Sequence, residues 1–240
     1  MPRLDVLITR NGMAESRERA QALIIAGKVR VSGETVRSPA RTVSDDAAIA
    51  VDAEPGYASR GALKLAPALD RFGVDPKDRV CADIGASTGG FTDVLLRRGA
   101  AKVYALDVGR GLLHWRLRQD PRVVVIERLN ARDLESFPEA VSLVVIDVSF
   151  ISLEKVLPAV GRAAPHAEVV ALFKPQFEVG RAQVGKGGIV RDEPAVIEAL
   201  SRFREWCAAN GYAVRGEAQS EVAGAEGNRE IFVHLAPVQR

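Results

Sequence analysis

The chain is poor in the side chains that hold metals and staple secreted folds. Its 240 residues include two cysteines, Cys81 and Cys207, and three histidines, His114, His166 and His234. The cysteines have neither metal-ligand nor redox spacing, and they read as two reduced thiols of a cytosolic protein. The histidines are scattered, and no cluster of His, Cys and carboxylate is set to hold a metal. No apolar run approaches the roughly 20 residues that span a bilayer. Met1-Pro2-Arg3-Leu4-Asp5 carries no signal-peptide pattern. Strongly basic amphipathic stretches are absent too, which argues against direct membrane lysis. A soluble, cytoplasmic protein with no stable membrane association is expected. An excess of one charge is also missing, since 33 basic and 31 acidic side chains leave a net charge of +2. A surface for nucleic acid must therefore come from placement of charge. Internal repeats and low-complexity tracts do not occur.

What is there suits an α/β protein. At 47% hydrophobic content, 240 residues suffice for one α/β domain of ordinary size and a small extra one. The most telling stretch is Cys81-Ala82-Asp83-Ile84-Gly85-Ala86-Ser87-Thr88-Gly89-Gly90-Phe91-Thr92. It reads as a strand, a sharp glycine-rich turn and a helix start, where free backbone N–H groups and a positive dipole end point outward. A phosphate-binding P-loop would end Gly-Lys-Ser/Thr, and this loop has Gly90-Phe91-Thr92. A dinucleotide fingerprint needs G-x-G-x-x-G, which Gly85, Gly89 and Gly90 do not match. Asp107 closes the next strand, where an acid can hold ribose hydroxyls. An adenosyl ligand without a pyrophosphate fits, with Asp83 near a cationic head; S-adenosylmethionine answers that description. A tight βα turn with no ligand is the alternative.

A Pro-Gly turn signal divides the chain near Asp52 to Ser59, giving residues 1–52, a linker at 53–59 and a domain over 60–240. In the first part Leu4, Leu7 and Ile8 recur at helical spacing. Ser16 caps a helix from Arg17 to Ala26 that Gly27 stops. Short strands follow at Val29-Arg30-Val31, near Val36 and at Ala48–Val51. Arg3-Leu4-Asp5, Ser16-Arg17 with Ala20, and Gly27-Lys28-Val29-Arg30-Val31-Ser32-Gly33 together resemble the S4 RNA-binding module. The resemblance implies that Arg3, Arg17, Lys28 and Arg30 face structured RNA, where cations on a helix and loop position a phosphate backbone without reading sequence. Glu15, Glu18 and Glu34 lie among them, so the residues alone favour a solvated charged face; the resemblance favours RNA.

Beyond Tyr57 strands and helices alternate, which implies a largely parallel sheet. Strands are expected at Arg79–Ile84, Lys102–Asp107, Val123–Ile126, Ser142–Asp147, Val169–Lys174, Tyr212–Glu217 and Ile231–Leu235. Helices are expected at Ala62–Phe72, Phe91–Arg98, Leu112–Arg118, Leu153–Ala164 and Ala195–Asn210. Ligands of such sheets bind beyond the carboxyl ends of the strands, which draws attention to Asp83, Gly85, Asp107, Asn130, Asp147 and Lys174. Asp147 and Lys174 end apolar strands, and an ionised group there is costly unless paired. Lys64 stands early on a helix, against the dipole, and Glu230 leads into the last strand.

The ordered set Lys64, Asp147, Lys174, Glu230 is similar to the signature of FtsJ-like (RrmJ-like) ribose 2′-O-methyltransferases. With the S4 module, Tyr57-Ala58-Ser59-Arg60-Gly61-Ala62-Leu63-Lys64-Leu65, Asp147-Val148-Ser149-Phe150-Ile151-Ser152 and Lys174-Pro175-Gln176-Phe177-Glu178, the whole chain resembles the TlyA family. One departure is Ala62, where that family often has glycine. The resemblance implies a Rossmann-like methyltransferase sheet behind a small α+β S4 domain. It implies S-adenosylmethionine-dependent 2′-O-methylation of cytidines in 16S or 23S ribosomal RNA, within ribosomal subunits; members have also been labelled hemolysins. Carried over, Lys64, Asp147, Lys174 and Glu230 are catalytic. Gly85, Ser87, Gly89, Gly90, Phe91, Asp107 and Asn130 are cofactor positions, together with Asp83 and Asp147.

The chemistry explains the two lysines. A ribose 2′-hydroxyl is a weak nucleophile and must be deprotonated and aligned, about 3 Å from the methyl carbon. A lysine acts as base only when partly neutral, which burial and a second cation promote and nearby carboxylates oppose. Lys174 suits that role, with Asp147 and Glu230 orienting the amines; which of the two lysines is neutral stays open, Lys64 being the alternative base. The glycine-rich 183–192 loop, with Lys186 and Arg191, reads as a lid over RNA and cofactor or as an ordinary exposed connection. A non-catalytic RNA-binding protein is a competing reading, but it would need a broken tetrad, and all four residues are present.

Overall fold

The computed structural model describes residues 1–14, 16–51, 56–224 and 227–238. The chain folds as two compact units, Met1–Gly56 and Tyr57–Arg240. Of the expected boundary segment, residues 52–55 lie outside the described residues, and Tyr57–Ser59 belong to the second unit.

In the first unit α1 (Leu4–Arg10) and α2 (Arg17–Ile25) precede three short strands, β1 (Val29–Val31), β2 (Glu34–Val36) and β3 (Ile49–Val51). These form an antiparallel sheet in the order β2-β1-β3. Ser16 Oγ accepts the Arg19 N–H at 3.1 Å and starts α2. Gly27, at φ +72°, turns the chain out of it. Leu4, Leu7, Ile8, Ala20, Leu23 and Ile24 meet Val29, Val31 and Val36 in one core.

The second unit contains α3 (Ala62–Phe72), β4 (Val80–Ile84), α4 (Gly90–Arg97), β5 (Lys102–Asp107), α5 (Trp115–Arg118), β6 (Val123–Glu127) and β7 (Leu143–Ile146). It continues through α6 (Leu153–Ala163), β8 (Glu168–Phe173), α7 (Pro175–Glu178), α8 (Glu193–Ala209), β9 (Tyr212–Gln219) and β10 (Ile231–Pro237). The seven strands lie in the order β6-β5-β4-β7-β8-β10-β9. Pairs among β4 to β8 are parallel, and β10 is antiparallel to both β8 and β9. This is the doubly wound α/β order with one reversed strand inserted before the last. It places the crevice beyond β4, where the strand order changes direction.

Alternation along the strands builds two layers. Ala82, Ile84, Leu106, Ile146, Ala171, Phe173 and Val233 pack against α6 and α8. Cys81, Val103, Val145, Val170, Leu172 and Phe232 pack against α3 and α4. Cys81 and Cys207 are free and buried, one in each layer, and burial pushes both thiols up to about 12. The expected helix Leu112–Arg118 is shorter than its apolar pattern suggests. Gly111 takes φ +70°, and α5 starts only after His114, whose Nδ1 accepts the Arg116 N–H at 3.2 Å. The short α7 was not foreseen, since Pro175 stands at its first turn rather than ending the strand segment.

Candidate active site

Strand alternation aims the charged strand ends. Ile146, Phe173 and Ile231 face the α6/α8 layer, so Asp147, Lys174 and Glu230, one position away, turn toward the α3 side. The reversed direction of β10 matters here. An antiparallel strand starts where its parallel neighbours end, and Ile231 pairs with Phe173. Glu230 therefore arrives beside the carboxyl end of β8.

The four residues stand as two ion pairs. Lys64 Nζ, from the first turn of α3, donates to Glu230 Oε2 at 2.6 Å. Glu230 is only 2% exposed. Lys174 Nζ lies 2.6 Å from Asp147 Oδ1 and donates to Ser149 Oγ at 3.1 Å. The approach to Asp147 is ionic rather than a directed hydrogen bond, and Oδ1 retains its capacity to accept one. Each buried charge thus has a partner of opposite sign, which offsets the desolvation that would otherwise exclude it.

The glycine-rich turn packs tightly against this set. Gly85 (φ +87°) lies so close to β7 that an added Cβ would sit 2.3 Å from the Asp147 carbonyl oxygen. Gly90 is equally confined: its Cβ would sit 2.3 Å from Ser59 Oγ. Two clefts adjoin there. One of about 230 Å³ is lined by Lys64, Gly85, Ser87, Gly90, Phe91 and Asp147, together with Ser59, Arg60, Val222 and Ala223. The other, about 590 Å³, contains Gly85, Ser87, Asp107, Asn130 and Asp147. Its size is within the usual range for a small-molecule site.

Asp107 Oδ2 accepts the Ser87 N–H at 2.7 Å, and its Oδ1 accepts the Gly109 N–H at 2.7 Å. Ser87 holds a left-handed φ of 48°, a strain that the bond to Asp107 helps hold in place. Asn130 Oδ1 caps the short helical turn that follows it, accepting the Arg132 N–H at 3.1 Å. Gly89 and Asp83 line neither cleft. Gly89 (φ +96°) packs on Leu117. Phe91 packs against Phe232 in the α3/α4 layer.

Asp83 lies beneath the turn and is fully buried. Its Oδ2 accepts both Thr92 N–H at 2.8 Å and Thr92 Oγ–H at 2.6 Å, while Oδ1 has no hydrogen bond. Burial pushes its carboxyl up to about 7, with the charges of Asp147 and Asp107 adding and Thr92 opposing.

Sequence reasoning passed over several lining residues. Ser149 and Phe150 follow shortly after Asp147 and line the larger cleft. Phe150, 88% exposed at φ +64°, rests its ring on Phe177. Arg60 lay in the motif that located Lys64. Nothing in composition distinguishes Val222 or Ala223.

The candidate RNA contacts have varied surroundings. Arg3 clasps Asp5 with two hydrogen bonds, at 3.0 and 2.9 Å; Arg17 and Gln21 donate to the same carboxylate at 3.0 and 2.8 Å. The two arginines remain 43% and 54% exposed. Lys28 and Arg30 stand at the entry to β1 and within it. Lys186 lies in a 3₁₀ turn, and Arg191 borders a separate cavity with Arg71 and Arg229. Among the described residues no group of three or more His, Cys, Asp or Glu is arranged for a metal, and no helix is long and apolar enough to cross a membrane.

A parallel-rich sheet with one reversed strand, a glycine cradle at the switch point and an acid on the neighbouring strand end define an α/β methyltransferase fold. The chain belongs to the FtsJ-like methyltransferase family, whose model matches residues 57–236, and an S4 domain model matches residues 2–49. It is 50% identical over 238 residues to the 16S/23S rRNA (cytidine-2'-O)-methyltransferase TlyA of Mycobacterium tuberculosis, covering 97% of this chain and 89% of that one. It is 44% identical to Hemolysin A of Brachyspira hyodysenteriae, covering 97% and 99%. A solved structure from Streptococcus thermophilus, provisionally described as a hemolysin, superposes with a TM-score of 0.75 at 42% identity, covering 99% of this chain and 88% of that one.

Proposed function

We propose that the chain transfers a methyl group from S-adenosylmethionine to the 2′-oxygen of cytidine ribose in ribosomal RNA, 16S or 23S or both, within ribosomal subunits in the cytoplasm. The observation that carries this reading is the two ion pairs, Lys64–Glu230 and Lys174–Asp147, each with one buried member, on one face of the sheet beside the glycine cradle. The activity named for the mycobacterial relative supports the substrate.

The residues fit the cofactor. Gly85 has no room for a side chain, and Asp83 keeps a buried, unpartnered oxygen beneath the turn. When bound, S-adenosylmethionine supplies an electrophilic methyl on its sulfonium. Asp107 and Asn130 would hold its ribose and adenine end, and Asp83, which lines neither cleft, would act on the cationic head by its charge from beneath the turn. Gly85, Ser87, Gly89 and Gly90 shape the cradle, and Phe91 braces it from the core. Lys174, held by Asp147 and Ser149, first releases its own ammonium proton to solvent and then, as the neutral amine, takes the proton of the 2′-hydroxyl, while Glu230 fixes Lys64. Arg3, Arg17, Lys28 and Arg30 supply phosphate contacts from the first unit, and Lys186 and Arg191 from the second.

The test is transfer of labelled methyl to separated small and large subunits, followed by mapping of the modified ribose. Lys174→Ala is expected to lower turnover by about 10²–10⁴-fold while cofactor affinity holds. Absence of transfer by the folded wild-type chain to either subunit would overturn the reading.

A further inference from the structure

Asn228 is a buried amide, 2% exposed, two residues before Glu230. Both polar ends of its side chain are spent on another segment. Oδ1 accepts the Val190 N–H at 2.9 Å, and Nδ2 donates to the Gly188 carbonyl at 2.8 Å. The segment it grips is the loop that carries Lys186 and Arg191. That loop is itself closed by Gly185 N–H to the Ile189 carbonyl at 3.0 Å, with Gly187 and Gly188 at φ +78° and +76°.

On its own side Asn228 belongs to a tight return into β10. Its carbonyl accepts the Gly224 N–H at 3.0 Å, and the Glu230 carbonyl accepts the Ser220 N–H at 2.9 Å. Gly224 sits against the Glu230 carboxylate so closely that a Cβ would lie 2.7 Å from Oε1. Val222 and Ala223 of the same return line the cleft with Lys64 and Asp147. A side chain that satisfies two backbone groups of a glycine-rich loop supplies the order that the loop sequence lacks.

We propose that Asn228 is a positioning residue for methyl transfer. Its amide joins the 185–191 loop to the return that carries Glu230, so that loop and carboxylate are held as one body. Engagement of RNA by Lys186 and Arg191 is thereby tied to the orientation of the Lys64–Glu230 pair. The inference rests on the methyltransferase reading of the preceding subsection.

The test uses the full chain, S-adenosylmethionine and whichever ribosomal subunit accepts methyl. Asn228→Ala is expected to speed hydrogen exchange at the Val190 amide and to lower kcat about 10- to 100-fold, with cofactor affinity unchanged. Asn228→Ser, which keeps a short hydroxyl in place of the amide, is expected to fall between Ala and wild type and stands in if the alanine variant fails to fold. A double-mutant cycle with Lys186→Ala separates positioning from mere support: coupling makes the Lys186→Ala loss smaller in the Asn228→Ala background. Normal kcat in either folded variant, or strictly additive losses, would overturn the inference. No methyl transfer by wild type would instead sink the functional reading on which it rests.

Discussion

Two aspartates, one in each unit, have no exposed surface, yet they titrate in opposite directions. Asp5 accepts side-chain hydrogen bonds from Arg3, Gln21 and Arg17 and one from the Val6 N–H. The Arg3 guanidinium, with Gln21 and Arg17 adding, holds its carboxyl well below the usual range despite burial. Asp83 has Thr92 alone, and burial wins. The same residue type is thus architecture in one place and an unfinished contact in the other. A buried carboxylate whose lone pairs are all used organises its neighbours. Asp83, beneath a glycine cradle, spends one oxygen on Thr92 and keeps a raised carboxyl.

Stability separates the two aspartates most strongly. Asp5→Ala strips the partner from two arginines and Gln21. It is expected to cost the full chain about 2–3 kcal/mol, below the range for a wholly buried pair because the arginine ends are half exposed and screened. Asp83→Asn keeps an acceptor for Thr92 and removes a desolvated charge, so stability should stay within about 1 kcal/mol of wild type, while S-adenosylmethionine binds more weakly. Denaturant titration and calorimetry on both variants decide it; equal destabilisation would erase the distinction.

A second measurement sharpens it through pH. Asp5 has a folded value below its unfolded one, so its contribution is present above about pH 4 and is lost as pH falls through the lower folded value. Asp83 has a folded value raised to about 7. Between about pH 4 and 7 the folded chain holds a proton that the unfolded chain has released, and stability declines as pH rises across that window. Asp83→Asn should flatten this decline and leave the acid limb intact. A decline that persists in the variant assigns it to another group.

The smallest expected effect concerns the cations of the first unit. Arg3 and Arg17 are tied to Asp5, so removing them confounds folding with binding. Lys28→Ala, at the entry to β1, tests phosphate binding apart from that carboxylate. Subunit affinity should weaken, and the slope of its logarithm against log salt should shrink by about 0.7–0.9 for each phosphate that is no longer neutralised. Superimposable salt curves would show that RNA is held elsewhere, with the Lys186–Arg191 loop next to be tested.

Much of this was legible in residue patterns. The apolar spacing of Ala62–Phe72 and the run Lys102–Asp107 match α3 and β5 to the residue, because each is bounded by its own stop signal, Gly73 and the acid at the strand end. What failed were local readings of ambiguous residues. Leu112 and Leu113 suggested an early helix start, but Gly109 and Gly111 just before them let the chain take another path. Pro175 opens the short α7, a helix not among those expected. The ion pairs were anticipated at strand ends, whereas the partners of Asp5 were not. An acid in the first turn of a helix already has a local explanation in the dipole, and only the packing of α2 on α1 shows that Arg17 and Gln21 converge on it. Asn228 was illegible for a similar reason: an asparagine in a Gly-rich return reads as turn chemistry, and its grip on a segment about 40 residues earlier is a tertiary fact.

The reversed strand has a practical corollary. Since β10 enters the sheet at the cleft edge, it must leave at the opposite one, where Pro237 pairs with Tyr212 at the start of β9. Whatever is joined to the chain after Pro237 departs from the back of the sheet. A purification tag, a fluorophore or a tether joined beyond that point would attach at the edge of the sheet opposite the cleft.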